Sequence, residues 1–545
     1  MFVECGLPKE GAALNSVPGP FSRSVLTALT GVAGPALWAA AKVRVAQWDH
    51  KARAPQGPQL ETLLALCAAA AGTEFGRAHR LGEVRSHSDF CARVPVRSYA
   101  GFEPYLTRMR KGERDVLWPG FIRYYGQSSG TSQTAAMHKF LPISEQQIRW
   151  QQRAGFDLVA RYVAMTNDLF LTSGYTIGLL PPAVIKPDGP VGVTSNPGLM
   201  SMHMPASARL LFLPRSPLRE MEDYDRKLDE IAAAYLDYNV VAVSGTTCWF
   251  SIFFDRVLAA ARQKGRRADS ISQIWPNLRV MFGGGVHAEP YRGIIAERIG
   301  RKPGSPAVLI DNYNATEGGI LAATDSLSDD GMLMIPDRGV FFEFVPRGQH
   351  GKSDAKRVAL WEVEVGAEYS VILTTSSGLF AYEIGDFVRF TSVFPHRIQF
   401  SGRASGVISV TQELTTYLEL EQAVAQASKQ HPCTIVDFAT GSEVGVAGTA
   451  KGRYTFFFEF DRDPADLAEF GAAVDRELCK LNRVYREHRA HNVAILPPTV
   501  TPLSRGATRK FMEALGQTSV QHKFPRIVDD RRRDVLRTFA RDITK

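Results

Sequence analysis

The chain has 545 residues, 45% apolar and 22% charged, with a formal net charge of +8. That length exceeds what one hydrophobic core supports, so two domains are expected, and the ordinary composition excludes a disordered chain. A charge this small for 60.1 kDa, spread along the sequence, argues against a nucleic-acid partner and suits a small anionic substrate.

The six cysteines, at positions 5, 67, 91, 248, 433 and 479, are isolated. They form no Cys-x-x-Cys pair and no Cys/His spacing typical of a zinc site, so a reducing, cytoplasmic setting is expected. The apolar run 25–41 is short for a membrane span, contains Pro35 and closes on Lys42 and Arg44. It reads as a helix packed on the main domain, with no stable membrane insertion.

In chain order, residues 59–75 read as a buried helix carrying Leu60, Leu63, Leu64, Leu66 and Cys67. From about 120 to 400, β-rich segments (240–243, 279–282, 307–309, 340–345, 369–375) alternate with helical ones (224–235, 247–264). Such alternation predicts an α/β fold with much parallel sheet. The small residues of 401–409 mark a boundary and a plausible hinge. Beyond it, a helix (418–429), a strand (453–460), a second helix (464–481) and a strand (492–496) predict a small α+β domain.

Four motifs carry chemistry. The first, Gln127-Ser-Ser-Gly-Thr-Ser132, follows a strand-like 121–125 and precedes Lys139. Hydroxyls, backbone N–H groups and one mobile cation are what a polyphosphate needs. A Walker loop is excluded because no glycine stands directly before the lysine. The same residues also satisfy Gly-x-Ser-x-Gly, so a serine hydrolase with Ser128 as nucleophile, Asp311 or Asp386 as acid and His488 as base stays open as the rival.

The second motif, Asp311-Asn-Tyr-Asn-Ala-Thr-Glu-Gly-Gly319, leaves an apolar strand. Tyr313, Thr316 and Glu317 can there stack a purine, bond a phosphate oxygen and hold magnesium; the alternative is a capped helix start with Glu317 solvated. The third, Tyr382-Glu-Ile-Gly-Asp386, sets Asp386 at a strand end, where its two oxygens match two ribose hydroxyls. The fourth, Phe282-Gly-Gly-Gly-Val-His-Ala-Glu-Pro290, lets a ligand lie against the backbone of Gly284 and Gly285. His287 and Glu289 match only a fragment of a deaminase zinc motif.

These elements, with Thr73-Glu-Phe-Gly-Arg77, Gly339-Val-Phe-Phe-Glu-Phe344, Ser401-Gly-Arg403 and the tail Gln521-His-Lys-Phe-Pro-Arg526, resemble in order and interval the acyl acid amido synthetases of the plant auxin-responsive (Gretchen Hagen) family and its bacterial members. These belong to the adenylate-forming superfamily, and the resemblance runs over nearly the whole chain. It implies a large N-terminal adenylation domain (1–402) of β-sheets flanked by helices and a small mobile α+β lid (403–545). It also implies that ATP and a carboxylic acid give acyl-AMP with magnesium assisting, and that an amine, that of an amino acid, then takes the acyl group.

Carried over by position, the resemblance puts Ser128, Ser129, Gly130 and Thr131 on the phosphates, with Lys139 nearby, and Glu317 on magnesium. Tyr313, Asn314 and Thr316 flank the adenosine phosphate beside the Gly284-Gly285 loop, Asp386 bonds the ribose, and Arg403 marks the hinge. Lys523 reaches the α-phosphate, with Lys510 as runner-up. This chain departs from the family pattern at Gln133 to Met137, at Ala381 and Glu383 where arginines are favoured, and at Gln412, Glu413 and Leu414 where a lysine is typical.

Overall fold

The structure, a computed structural model, describes residues 23–541 apart from 129–138, 286–287, 301–306, 328–330, 353–354, 404–406, 409, 411–412, 414, 445, 447–451, 491–494 and 518–522. Segments of Val, Ile and Leu without alternation form a five-stranded parallel sheet in the order Phe212–Leu213, Tyr175–Leu179, Val240–Gly245, Val280–Phe282, Val308–Ile310. Helices Tyr224–Ala234, Cys248–Gln263 and Glu289–Ile299 supply the crossovers that parallel pairing requires. Burial on both faces explains the unbroken apolar runs: Val240, Val241 and Val243 are all fully buried.

Residues 312–403 differ from the expectation of much parallel sheet. They build an eight-stranded sheet, Asn312–Ala315, Gly319–Thr324, Met332–Met334, Arg397–Arg403, Tyr382–Ser392, Glu368–Thr375, Val340–Pro346, Val358–Ala359, in which every neighbouring pair is antiparallel. Among the described residues the connections here are turns and short 3-10 segments, and an antiparallel return needs no longer crossover. A third, mixed sheet sets the hairpin Tyr124–Ser128 and Lys139–Ile143 beside Val191–Thr194 and Lys186–Asp188.

The expected helix at 59–75 is two helices, Gln56–Ala70 and Glu74–Ala78. Thr73 breaks them, its side chain accepting the N–H of Gly76 as an N-cap. Residues 25–41 belong to the longer helix Arg23–Arg53, which contains Pro35 and buries Ala41, Trp48 and Ala52 against Leu158 and Tyr162. Among the described residues no helix is long and apolar enough to cross a membrane.

From residue 434 onward the strands Thr499–Leu503, Gly452–Arg462, Thr434–Val444 and Ile527–Val528 form a further sheet. Alternation along it sends Phe456, Phe458 and Phe460 into a core with helices Tyr417–Gln430 and Leu467–Leu481, and Phe457 to the other face with Phe511. Of the strand expected at 492–496, residues 491–494 lie outside the described residues, and Ile495 makes only an isolated bridge to Gly452.

His396 follows the turn between Tyr382–Ser392 and Arg397–Arg403 and is 1% exposed, its ring 5.9 Å from that of Phe390. Burial pushes its imidazole down from the ordinary 6.5 to about 4. The unfolded chain therefore takes this proton first as pH falls, so stability is full above about 6.5 and lost toward 4, by ~3 kcal/mol if no other group compensates. Denaturant midpoints between pH 7 and pH 4 should fall, and His396→Gln should flatten that slope.

Candidate functional site

The site begins where Val308–Ile310, on the edge of the parallel sheet, gives way after Asp311 to Asn312–Ala315, on the edge of the antiparallel sheet. The second motif therefore crosses between two sheets and turns at 316–318 into Gly319–Thr324. It is a hairpin turn, not the helix start held open above, and Glu317 is 8% exposed rather than solvated.

Each remaining motif meets this hairpin. Tyr313 donates its hydroxyl to Asp386 Oδ2 at 2.9 Å, joining the second motif to the third. Asp386 is 4% exposed and sits within Tyr382–Ser392, not at a strand end as expected; its partner in register on the next strand is Arg403. On the other side, a Cβ at Gly126 would stand 2.5 Å from the Thr316 methyl. Only glycine permits that approach of the Tyr124–Ser128 strand.

Ser128 pairs in register with Lys139, where the antiparallel strands Tyr124–Ser128 and Lys139–Ile143 meet. Ser129, Gly130 and Thr131 lie outside the described residues, as do Gln133 to Met137. The ammonium of Lys139 lies 5.9 Å from the centre of the Tyr99 ring. A nucleophile elbow runs from strand directly into helix; residues 129–138, which follow Ser128, lie outside the described residues, and the next described segment is the strand Lys139–Ile143.

The fourth motif closes the rim. Gly284 and Thr247 exchange hydrogen bonds, 3.1 Å to the Thr247 hydroxyl and 3.2 Å from its N–H, and a Cβ at Gly284 would stand 3.0 Å from the Asn314 amide. Asn314 is exposed and donates to Asn312 Oδ1 at 2.7 Å. Gly285 has φ +80, a left-handed conformation, and a Cβ there would lie 3.2 Å from Lys523 Nζ. The tail lysine thus reaches the glycine loop, while the runner-up Lys510 is exposed on the helix Ala507–Ala514. His287 lies outside the described residues.

Lys523 is held there by its neighbour Arg526, 4% exposed. Arg526 donates to Glu421 at 2.9 Å, to Asp437, to the Phe438 carbonyl at 2.9 Å, and to the Tyr291 hydroxyl at 2.7 Å. Tyr291 belongs to the crossover helix Glu289–Ile299 and the two acids to the C-terminal sheet and helix, so this one guanidinium ties the tail to both.

Two further residues, Tyr382 of the third motif and Gln147 outside all four, support the rim. Tyr382 is fully buried, and burial, followed by the Glu317 carboxylate beside it, holds its hydroxyl far above the usual phenol range. It therefore remains a neutral donor next to two acids. Gln147 donates to the Thr316 carbonyl at 3.0 Å and is itself bonded by the Ser377 hydroxyl. The sequence signal for Gln147 was Ser144, whose side chain accepts the Gln147 N–H as a helix cap.

Two of the departures find internal uses, while Gln412 and Leu414 lie outside the described residues. Glu383 accepts the Ser370 hydroxyl at 3.0 Å, and Glu413, 3% exposed, accepts the Tyr454 hydroxyl at 2.5 Å and the Val410 N–H at 2.6 Å. Of the apolar residues near the site, Tyr175 and Phe250 are core, while Met200 and Met202 pack half-buried against Ile143, Ile148 and Leu199.

The chain is 28% identical over 301 residues to the jasmonoyl-L-amino acid synthetase GH3.5 of Oryza sativa subsp. japonica, spanning half of each protein. It is 24% identical over 537 residues to the indole-3-acetic acid-amido synthetase GH3.8 of Oryza sativa subsp. indica, spanning 84% of this chain and 86% of that one. Among solved structures, the AtGH3.15 acyl acid amido synthetase in complex with 2,4-DB superposes with a TM-score of 0.74 at 19% identity, over 92% of this chain and 96% of that chain. A 2-hydroxyisobutyryl-CoA ligase in the postadenylation state shares the fold at a TM-score of 0.57 and 14% identity, over 88% and 90% of the two chains. The models of the GH3 family N-terminal domain, central domain and C-terminal domain match residues 44–175, 333–403 and 418–532. Together these cover more than half of the sequence, and the chain belongs to the GH3 family.

Proposed function

We propose that this chain is an ATP-dependent, AMP-forming ligase that activates a carboxylic acid as its acyl-adenylate and passes the acyl group to the amine of an amino acid. The observation that carries the reading is the Tyr313–Asp386 hydrogen bond, because it joins two separately read nucleotide motifs on one rim. The names of the GH3 relatives, amido synthetases and amino acid synthetases, support amide formation with an amino acid.

In this reading the carboxylate oxygen of the acid attacks the α-phosphorus and pyrophosphate leaves. The amine nitrogen then attacks the acyl carbon, AMP leaves and the amine proton goes to solvent. AMP is a far better leaving group than hydroxide, so the protein need only position reactants and stabilise phosphate charge. Ser128, Ser129, Gly130 and Thr131 line the phosphates, Asp386 takes the ribose, and Tyr313, Asn314, Thr316 and the Gly284-Gly285 loop bound the adenosine side. Lys139 and Lys523 bring cations from opposite ends, and Arg403 sits at the junction of residues 1–402, the adenylation domain, with the lid, 403–545.

Glu317 fits a magnesium ligand: one carboxylate, nearly buried beside Thr316, is what this ion accepts in addition to phosphate oxygens. Magnesium bound with ATP supplies charge neutralisation on the phosphates. The cytoplasm, where ATP is supplied and isolated cysteines stay reduced, is the setting for this reaction.

Glu317→Gln should lower magnesium-dependent pyrophosphate release, measured with a panel of carboxylic acids, by about 100-fold or more. Unchanged release would remove the metal assignment. Lys523→Met should slow the adenylation half-reaction by on the order of 100-fold with little change in KM for ATP. A wild-type rate would move that duty to Lys510.

A further inference from the structure

Away from the nucleotide rim, three metal-binding side chains converge where the helix His87–Arg93 packs on the strand Val340–Pro346. His87 and Cys91 stand one helical turn apart on the same face, and Glu343 rises from the strand beneath them. His87 Nε2 lies 2.9 Å from Glu343 Oε1 and 3.2 Å from Cys91 Sγ, and Sγ lies 3.5 Å from the same carboxylate oxygen. These separations are close to the edges of a tetrahedron drawn around an ion with ligands at about 2.0–2.3 Å. A spread of a few tenths of an ångström would admit one.

Glu343 is fully buried, yet its second oxygen, Oε2, has no hydrogen-bond partner. A buried carboxylate oxygen left unsatisfied costs about 1–3 kcal/mol or more, so an acceptor here without a donor asks for a ligand. Arg357 Nε approaches Oε1 at 3.1 Å and Sγ at 3.4 Å, while its Nη1 is anchored on the Val94 carbonyl at 2.6 Å. Its Nε thereby donates to Cys91 Sγ and ion-pairs with Glu343 Oε1, contacts that orient both side chains and favour their ionised forms. The His87 side chain keeps 13% of its surface, which leaves an approach from solvent. Glu362 stands 4.0 Å from its Nδ1, on the side away from the cluster.

We propose that His87 Nε2, Cys91 Sγ and the Glu343 carboxylate form a zinc-class divalent cation site that clips the N-terminal helical layer to the large antiparallel sheet. Thiolate and imidazole donors exclude magnesium and calcium and select a borderline-soft ion. Binding replaces the thiol proton of Cys91 and any proton on His87 Nε2, and both go to solvent. Glu343 Oε2 supplies a second carboxylate contact, and water takes any position left open. The site is independent of the ligase chemistry, so loss of one leaves the other standing.

The test uses the full chain, stripped with a chelator, desalted and titrated with Co2+, followed by competition with Zn2+. The wild type should bind one equivalent with a thiolate-to-cobalt charge-transfer absorption that zinc abolishes. Cys91→Ser should lose that absorption and weaken Co2+ binding by on the order of 100-fold or more, while Cys67→Ser keeps both. Absence of stoichiometric binding in the wild type would overturn the proposal and leave a His87–Glu343–Arg357 ion-pair network alone. Equal thiolate absorption in a folded Cys91→Ser protein would also overturn it. If Cys91→Ser does not fold, His87→Gln takes its place, with the same loss of affinity expected and undiminished binding as the contrary result.

Discussion

The hydrogen bond from Tyr313 to Asp386 is the constraint on which the site depends, because it fixes a hairpin that belongs to two sheets at once. Asp311 alone separates the last parallel strand from the first antiparallel one, so the hairpin has little freedom to lean either way. With Tyr313 tied down on one side and Thr316 pressed against Gly126 on the other, the turn carrying Glu317 has a single seat. Gln147 and Tyr382 fill the space beneath it with polar groups that are themselves buried.

The second requirement is that a distant part of the chain reach the same rim. Arg526 answers it by spending its donors on Glu421, Asp437, the Phe438 carbonyl and Tyr291. Burying a guanidinium is costly, and the cost is offset only when opposing charges and acceptors are already in place. Here they come from the crossover helix Glu289–Ile299 and from the C-terminal layer, so Arg526 is held where those two layers meet.

Much of this was legible in the sequence, for reasons that differ from element to element. Parallel strands such as Val240–Gly245 declared themselves because burial on both faces demands unbroken apolar runs. The strands of 312–403 were seen singly, but the direction of their pairing is a property of connections, which periodicity does not report. Thr73 split a predicted helix because the capping hydroxyl was not weighed against the apolar pattern around it. Motif order located Tyr313, Glu317, Asp386 and Lys523. It passed over Gln147 and gave no role to Tyr382, which come under Thr316 and Glu317 only once positions 169 and 65 apart in the chain are brought together. Cys91 looked isolated for the same reason: its companion Glu343 lies 252 positions away.

The most direct test of the account is a crystal structure of this chain with ATP, magnesium and a non-reactive analogue of a carboxylic acid. It should show the triphosphate between the mouth of the Ser128/Lys139 hairpin and the Thr316-Glu317 turn, the ribose hydroxyls on Asp386, and the metal on Glu317. A nucleotide bound elsewhere, with Thr316 still closed against Gly126 and Glu317 turned away from any phosphate, would contradict it.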